Sequence, residues 1–152
     1  MRLYADTSWW LGYKCRRDTQ HARALSLFDS EPEAEVLWTP WQRVEVLNGF
    51  CQAERAGLLT RGESRQIIRL LEHEVRLGYW PHVEFDWTAA VSKACELRAE
   101  HSVKMVVRAM DLFHVAIAIE VMADALVSFD DDQNAPAEAA GLSVLNLARK
   151  QR

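Results

Sequence analysis

The sequence predicts an α/β fold, a three-layer α/β/α sandwich with a mostly parallel central sheet of about five strands. Short apolar segments alternate with segments of helical periodicity along the whole chain, as in parallel sheets that helices cover on both faces. The length of 152 residues suits one compact domain and is too short for two, so residues 1–152 are predicted to form a single domain. The apolar fraction of 49% and the charged fraction of 26% are those of a globular protein.

The first half of the chain is predicted to contain two strands and four helices. An apolar strand over residues 2–5 leads to Asp6, and Thr7 or Ser8 can cap the helix that starts near Trp9. Apolar residues at helical spacing predict the helices that follow. The second strand covers residues 36–39, and the other three helices cover residues 20–30, 41–56 and 63–77.

The second half of the chain continues the alternation with three more strands. The helix over residues 111–123 has the most apolar sequence, so it is predicted to be buried on several sides. Because Asp111, Glu120 and Asp124 interrupt this apolar stretch, it is not predicted to span a membrane. The predicted strands are residues 83–85, 126–129 and 143–147, and the remaining helices are residues 88–100 and 135–140.

The overall charge is acidic, with a net charge of −4 and a pI of about 5.7. This balance argues against a protein that binds nucleic acid with its whole surface. It is compatible with a nuclease, because bound cations can neutralise an acidic site and attract phosphate. Basic residues cluster at residues 14–17 and 149–152, where solvated chain ends and an RNA-facing patch are both open interpretations.

The cysteines and the N-terminus indicate a reducing compartment. Cys15, Cys51 and Cys95 are odd in number and lack zinc-site spacing, so each is predicted to be a small buried hydrophobic residue. Asp6 interrupts the N-terminal apolar run before a signal peptide can form. The simplest prediction for the location is the cytoplasm.

Four acidic residues stand far apart in the sequence, each near the end or the start of a predicted element. They are Asp6, Glu45, Asp111 and Asp130. Asp6 and Asp130 follow directly on predicted strands, and sites in parallel sheets form beyond the carboxyl ends of the strands. Carboxylates that converge there bind hard divalent cations such as Mg²⁺ or Mn²⁺. Metal-dependent phosphodiester cleavage is built on such clusters.

Each acidic residue also has a purely structural interpretation, and for Glu45 this is a solvated side chain on the surface of a helix. An acid near a helix start complements the helix dipole, but Thr7 and Ser8 already offer capping groups, so Asp6 is surplus to that task. Asp111 precedes a very apolar helix, where a charge needs a partner or an ion. Asp130 opens the acidic run 130–132, and such runs are most often solvated turns.

Two other residue types near these acids favour packing over chemistry. His114 follows Asp111 by three positions and could bind the same metal, but a packed histidine is the favoured interpretation because the predicted site is otherwise all oxygen. Trp9, Trp10 and Trp41 lie near the acidic segments, and core or interface packing is favoured over stacking on an unpaired base.

The order of the acidic segments resembles that of the PIN-domain nucleases, and most closely the VapC-type toxins of bacterial toxin–antitoxin pairs. The resemblance rests on Asp-Thr-Ser at residues 6–8, on Glu45 followed by Asn48, on Asp111-Leu-Phe-His114 and on Ser-Phe-Asp130. It spans roughly the whole chain as one domain. No single segment is specific, and the conjunction of all four in this order carries the resemblance.

The resemblance implies a metal-dependent endoribonuclease that uses Mg²⁺ or Mn²⁺. Its catalytic metal ligands are expected to be Asp6, Glu45, Asp111 and Asp130, with Thr7, Ser8 and Asn48 orienting ligands or water. It also implies an RNA substrate, a small antitoxin partner and a homodimer. The family often carries a basic residue near position 132, where this chain has Asp132, which is the alternative fourth ligand. The alternatives to a toxin are an RNA-processing PIN nuclease without toxicity and a degenerate binding module.

Overall fold

The computed structural model describes residues 1–145 and 147, and in this part of the chain four strands form one parallel sheet. The strands are β1 (Arg2–Ala5), β2 (Glu35–Val36), β3 (Ala125–Val127) and β4 (Ser143–Val144). Their order in the sheet is β2-β1-β3-β4, so β1 lies in the interior between two neighbours. Leu3 pairs with both Val36 and Ala125.

Eight helices connect the strands of the described chain, and the predicted α/β class is confirmed. Most of the helices begin and end within a few residues of the predicted limits. They are α1 (Thr7–Lys14), α2 (His21–Leu25), α3 (Leu27–Ser30), α4 (Pro40–Arg55), α5 (Glu63–Arg76), α6 (Trp87–His101), α7 (Ala109–Glu120) and α8 (Asp131–Ala139).

The two faces of the sheet bury separate hydrophobic cores. Alternate side chains of β1 point to opposite faces, so Leu3 and Ala5 join one core and Tyr4 joins the other. Leu126 of β3 lies on the face of Tyr4, whereas Val127 lies on the face of Leu3. Helices α1 and α4 supply buried residues to the first core, and α6 and α7 supply them to the second. The predicted three-layer arrangement is therefore present.

The tryptophans pack in these cores, as the favoured interpretation has it. Trp9 and Trp10 are fully buried, and their rings lie 5.1 Å apart in an edge-to-face arrangement. Trp10 also contacts Trp38 and Trp80 edge-on. Trp41 lies on the other face of the sheet, against Phe113 and His114.

The strand predicted over residues 83–85 is wrong. A single bridge joins Trp38 to His82, closed by the hydrogen bonds from Trp38 N to Pro81 O and from Val83 N to Trp38 O. The segment has no room to extend this pairing. Pro81 has no N–H to donate, and Asp86 already caps α6 by accepting hydrogen bonds from the backbone N–H groups of Thr88 and Ala89.

Other predicted elements differ in their limits. The helix over residues 20–30 is divided at Ser26 into α2 and α3, and the Ser26 hydroxyl bonds back to Arg23 O at that point. The last strand is confirmed over Ser143–Val144. Asn146 of the predicted strand 143–147, and the basic residues 149–152, lie outside the described residues.

The prediction that all three cysteines are buried is wrong for two of them. Cys15 is buried, whereas Cys51 and Cys95 are exposed. Both lie on long helices, α4 and α6, on the side that faces solvent rather than the sheet.

None of the helices in the described chain combines the length and the apolar character that a bilayer crossing requires.

Candidate active site

The four predicted acidic residues converge on one pocket. It has a volume of about 350 Å³ and lies beyond the carboxyl ends of β1 and β3. The strand ends bring Asp6 and Asp130 to this edge, and α4 and α7 bring Glu45 and Asp111. The pocket is also lined by Thr7, Ser8, Arg108, Met110, His114 and Gln133.

Asp6 is buried, and two hydroxyl groups and a backbone N–H donate to its carboxylate. Ser8 Oγ donates to Asp6 Oδ1 at 2.7 Å, and Ser128 Oγ donates to Oδ2 at 2.6 Å. The backbone N–H of Trp9 donates to Oδ1 at 3.1 Å. Burial raises the pKa of the Asp6 carboxyl, and the hydrogen bonds from Ser128, Ser8 and Trp9 together with the nearby charge of His114 offset only part of that rise.

The expectation that Thr7 or Ser8 caps the first helix is wrong, because Asp6 itself is the N-cap of α1. Asp130 likewise caps α8, and its Oδ1 accepts the backbone N–H of Asp132 at 3.0 Å. Asp111 lies in the first turn of α7 and accepts the backbone N–H of Arg108 at 3.2 Å. Asp6 is therefore not surplus to capping. Helix starts fix three of the carboxylates, and an ionised carboxylate keeps further lone pairs that a cation can use.

Glu45 reaches the pocket from α4 and is held by two side chains. Thr7 Oγ1 donates to Glu45 Oε2 at 2.7 Å, and His114 Nε2 lies 2.6 Å from the same oxygen. Burial works to raise the pKa of Glu45, but the hydrogen bond and charge of His114 and the hydrogen bond of Thr7 together outweigh it and hold that pKa below its usual value. The carboxylate of Glu45 is therefore an anion at neutral pH.

His114 is buried, as the favoured packing interpretation has it, and it links Glu45 to the core. Its Nδ1 lies 2.9 Å from the hydroxyl of Tyr4, whose ring packs edge-on against the imidazole. Burial raises the pKa of Tyr4 well above its usual value, so the phenol stays protonated and can donate to Nδ1. In a neutral imidazole this places the proton on Nε2, which donates to Glu45, and in a charged imidazole Nε2 donates to Glu45 as well.

Asp111 and Asp130 share one cationic partner, Arg108. The Nε of Arg108 lies 2.9 Å from Asp111 Oδ2, and its Nη2 lies 2.7 Å from Asp130 Oδ2. Arg108 directly precedes α7, and its side chain is 63% exposed, so it stands at the rim of the pocket. The ion pairs with both carboxylates raise the pKa of the guanidinium further, so Arg108 is always charged.

Two predicted residues do not join this arrangement. Asn48 is exposed one turn beyond Glu45 and is not among the residues that line the pocket, so its role in orienting Glu45 stays a prediction. Asp132 is also exposed and outside the lining, whereas Asp130 faces the pocket. The geometry therefore favours Asp130 over Asp132 as the fourth acid.

Three contributing residues were missed from the sequence. Ser128 joins two acids, because its hydroxyl donates to Asp6 and accepts the backbone N–H of Asp130 at 2.9 Å. Gln133 is buried and donates from Nε2 to Asp111 O at 2.9 Å. Arg108 is the third. The spacing of three residues between Arg108 and Asp111, and a serine on an otherwise apolar strand two residues before Asp130, were the available signals.

The pocket suits a hard divalent cation by its donor chemistry. Carboxylate and hydroxyl oxygens dominate the lining, and the buried carboxylate of Asp6 forms no ion pair with any Lys or Arg of the described chain. Within the residues that the structure covers, no three His, Cys, Asp or Glu side chains already form a metal-binding group. The ligand types therefore fit Mg²⁺ or Mn²⁺, while two of the four carboxylates are engaged with Arg108.

The basic cluster at residues 14–17 contributes no free charge at two of its positions. Lys14 Nζ lies 2.5 Å from Glu74 and is mostly buried between Tyr13 and Trp80. Arg17 pairs with Glu63 at 2.7 Å. The interpretation of this cluster as a patch facing RNA is accordingly not favoured.

The chain belongs to the PIN domain family, whose nucleases are hydrolases. The family model of the PIN domain matches residues 3–139. This span contains all four acidic residues of the pocket, Arg108 and Ser128. No curated protein matches the chain significantly.

Solved structures of other proteins share the fold of this chain. The chain is similar to VapC20 of Mycobacterium tuberculosis, a sarcin–ricin loop cleaving toxin, with 18% identity and a TM-score of 0.65 over 94% of this chain and 98% of that one. It is similar to VapBC2 of Rickettsia felis, solved with a promoter DNA fragment, with 15% identity and a TM-score of 0.65 over 96% and 98%. FitAcB of Neisseria gonorrhoeae gives 16% identity and a TM-score of 0.65 over 95% and 96%. The predicted resemblance is thus confirmed for the family and the fold.

Proposed function

We propose that the protein is a divalent-metal-dependent endoribonuclease and the toxin of a toxin–antitoxin pair. The observation that carries the proposal is the convergence of Asp6, Glu45, Asp111 and Asp130, from four separate elements, on one pocket at the carboxyl edge of the sheet. An isolated acidic side chain at a helix start has a structural explanation. Four acidic side chains facing one cavity favour a cationic ligand, because like charges brought together repel and Arg108 pairs with only two of them.

The residues divide into ligands and groups that orient them. Asp6, Glu45, Asp111 and Asp130 would hold Mg²⁺ or Mn²⁺ through their free lone pairs. Ser8 and Ser128 fix the rotation of the Asp6 carboxylate, and Thr7 and His114 fix that of Glu45. Such orienting groups limit the rearrangement that binding of a cation demands.

The chemistry proposed for this site is hydrolysis of a phosphodiester bond. A bound divalent cation would polarise the phosphate and make water a better nucleophile at neutral pH. Cleavage would leave a 5′-phosphate and a 3′-hydroxyl on RNA. The hydrogen bonds from Thr7 and His114 keep the Glu45 carboxylate ionised, so a negative charge lines the pocket at neutral pH.

RNA as substrate and an antitoxin as partner rest on the family and on the similar structures. VapC20 is a toxin that cleaves the sarcin–ricin loop, and VapBC2 was solved as an assembly on promoter DNA. We extend these properties to this chain as part of the proposal, together with a homodimer and a cytoplasmic location. The antitoxin is expected to cover or distort the acidic pocket.

The deciding experiment expresses the wild type and Asp6→Asn from an inducible promoter in the same cells. Growth is followed, and RNA 5′ ends are mapped before and after induction. Arrest with discrete new 5′-phosphate ends in the wild type alone is the expected result, and it also identifies the target. Asp86→Asn, at the exposed N-cap of α6, is the matched control and should behave as the wild type.

Other outcomes separate the alternatives. Discrete new ends without growth arrest contradict the toxin assignment and favour an RNA-processing nuclease on the same site. Neither arrest nor new ends from soluble protein, with no Mn²⁺ binding by isothermal titration calorimetry, contradict the enzymatic proposal and favour a degenerate binding module.

A further inference from the structure

Within residues 1–145 and 147, Arg108 is the one Lys or Arg side chain that lines the acidic pocket. It bridges Asp111 and Asp130, which come from α7 and from the start of α8. Three separate contacts hold the guanidinium in place, two to Asp111 and one to Asp130. The bridge therefore ties together two elements that the sequence separates by many residues.

The bridge uses the same atoms that the proposed function assigns to a metal ion. Arg108 Nε and Nη2 contact Asp111 Oδ2 and Oδ1, and Nη2 also contacts Asp130 Oδ2. The other oxygen of Asp130, Oδ1, already accepts the backbone N–H of Asp132. A divalent cation on these carboxylates would lie within a few ångströms of the guanidinium and repel it. The cation and the arginine therefore compete for one set of oxygens.

Arg108 is free to leave without disturbing the fold. Its side chain is 63% exposed, and its pair with the half-exposed Asp130 is weak and screened by salt. Asp111 is buried, so its carboxylate needs another cation when the guanidinium leaves. Its backbone stays anchored, because the N–H of Arg108 donates to Asp111 Oδ2 at 3.2 Å. A guanidinium displaced from the carboxylates thus remains at the rim of the pocket, where its planar set of donors matches the oxygens of a phosphate.

We propose that Arg108 exchanges partners during the reaction cycle, holding Asp111 and Asp130 in the metal-free protein and binding the RNA phosphate after a divalent cation has taken those carboxylates. This proposal rests on the proposed function. Arg108 is then a substrate-positioning residue that also lowers the affinity of the site for the divalent cation. It supplies the positive charge for phosphate that the acidic pocket otherwise lacks.

The test measures Mn²⁺ affinity of the purified full chain by isothermal titration calorimetry without RNA, for the wild type, Arg108→Gln and Arg108→Lys. Arg108→Gln is expected to bind Mn²⁺ about tenfold more tightly, because the competing cation is gone. The gain should shrink as salt is raised, since salt already weakens the bridge in the wild type. Arg108→Lys, which keeps the charge but not the planar set of donors, should lie between the two.

A second measurement follows binding of a fluorescein-labelled single-stranded RNA of mixed sequence by fluorescence anisotropy at saturating Mn²⁺, on ice. Arg108→Gln is expected to bind this RNA about tenfold more weakly. The matched control is Arg43→Gln, because Arg43 also forms a two-contact pair, with Glu72, and is similarly exposed at 58%. Arg43→Gln should leave both affinities unchanged. Loss of a merely structural contact would not tighten one ligand and weaken the other, and an effect of charge alone would leave Arg108→Lys equal to the wild type in both measurements.

The outcomes distinguish this inference from the function on which it rests. Unchanged or weaker Mn²⁺ binding by Arg108→Gln overturns the exchange of partners while the metal-dependent nuclease stands. Tighter Mn²⁺ binding with unchanged RNA binding overturns the phosphate contact. Absence of Mn²⁺ binding in the wild type and in Arg108→Gln alike contradicts the metal-dependent function, and this inference with it.

Discussion

The acidic pocket has two halves, which differ in the groups that compensate the negative charge of their carboxylates. In the first half, Asp6 and Glu45 accept hydrogen bonds from hydroxyl groups, a backbone N–H and an imidazole, which orient the carboxylates without an arginine or lysine. In the second half, Asp111 and Asp130 share the guanidinium of Arg108. Each half has one buried acid, Asp6 or Asp111, and one acid nearer to solvent, Glu45 or Asp130, so the halves differ in their charge partners and not in burial.

This difference shows how one site can be both stable and ready for a ligand. An uncompensated buried carboxylate is costly, and a cation that binds it recovers that cost. A carboxylate paired with an exposed arginine has little to recover, but it can change partners at little expense. Removal of one charge should therefore raise the stability of the metal-free protein at Asp6 and leave it almost unchanged at Asp130, while both substitutions lower activity.

The largest effect is expected for Asp6→Asn. Loss of a ligand worth several kcal/mol of transition-state stabilisation corresponds to about 10³-fold in the rate of RNA cleavage. Stability in EDTA should rise, because asparagine keeps the N-cap and removes a buried charge. Since folding raises the pKa of Asp6, the cost of its charge is absent below the pKa of the unfolded chain and grows as the pH rises through the folded pKa.

The measurements for Asp6→Asn are initial cleavage rates and thermal melting over a range of pH. The gain in Tm over the wild type should be greatest at neutral pH and should vanish in acid. Asp86→Asn, an exposed N-cap, controls for the substitution itself. A less stable Asp6→Asn protein at neutral pH would contradict the claim that the carboxylate is costly in the metal-free state.

The second prediction concerns Asp130→Asn, which should lower activity by about 10²-fold. The rate falls because a ligand charge is lost, but stability should barely change, because the pair that is broken is exposed. Asp132→Asn is the matched control, since Asp132 is the neighbouring acid and lies outside the pocket lining. If Asp132→Asn proved the more damaging of the two, the fourth acid would be Asp132.

The fold and the four acids could be predicted because both depend on local patterns. Each acid stands next to an element boundary that apolar periodicity makes visible, and the carboxyl ends of parallel strands share an edge. The false strand at residues 83–85 shows the limit of such patterns. Its three residues alternate correctly, but Pro81 and the cap at Asp86 leave too little backbone to pair.

The partners of the acids could not be predicted, because they depend on strand register and helix rotation. The pairing of Ala5 with Val127 places Ser128 beside Asp6, and nothing in either segment encodes that register. The position of Asn48 depends on helix rotation in the same way. It lies only about 60° around α4 from Glu45, yet Glu45 is half-buried and lines the pocket whereas Asn48 is exposed and outside the lining.

The third prediction is that Ser128→Ala lowers activity by roughly 10- to 100-fold, as loss of a group that orients a ligand does. Its hydroxyl donates to Asp6 and accepts the backbone N–H of Asp130, so its removal loosens both halves of the pocket at once. Cleavage rates and Mn²⁺ titrations should show weaker metal binding. Ser30→Ala, which removes a hydroxyl bonded only to nearby backbone carbonyls, is the control. Equal activity of both variants would rule out this role.

The smallest effect is expected for Tyr4→Phe, which removes the hydroxyl behind His114. Buried Nδ1 of His114 then loses its donor, at a cost of about 1–3 kcal/mol in the free energy of unfolding. Activity should fall only a few-fold, since Thr7 still holds Glu45. Tyr79→Phe, at a tyrosine that is 70% exposed, is the control in urea denaturation. Nitrogen-15 NMR of the imidazole should show that His114 no longer keeps a single tautomer. An unchanged tautomer would mean that Glu45 alone fixes the tautomer of His114, and that the Tyr4 hydroxyl has no part in orienting Glu45.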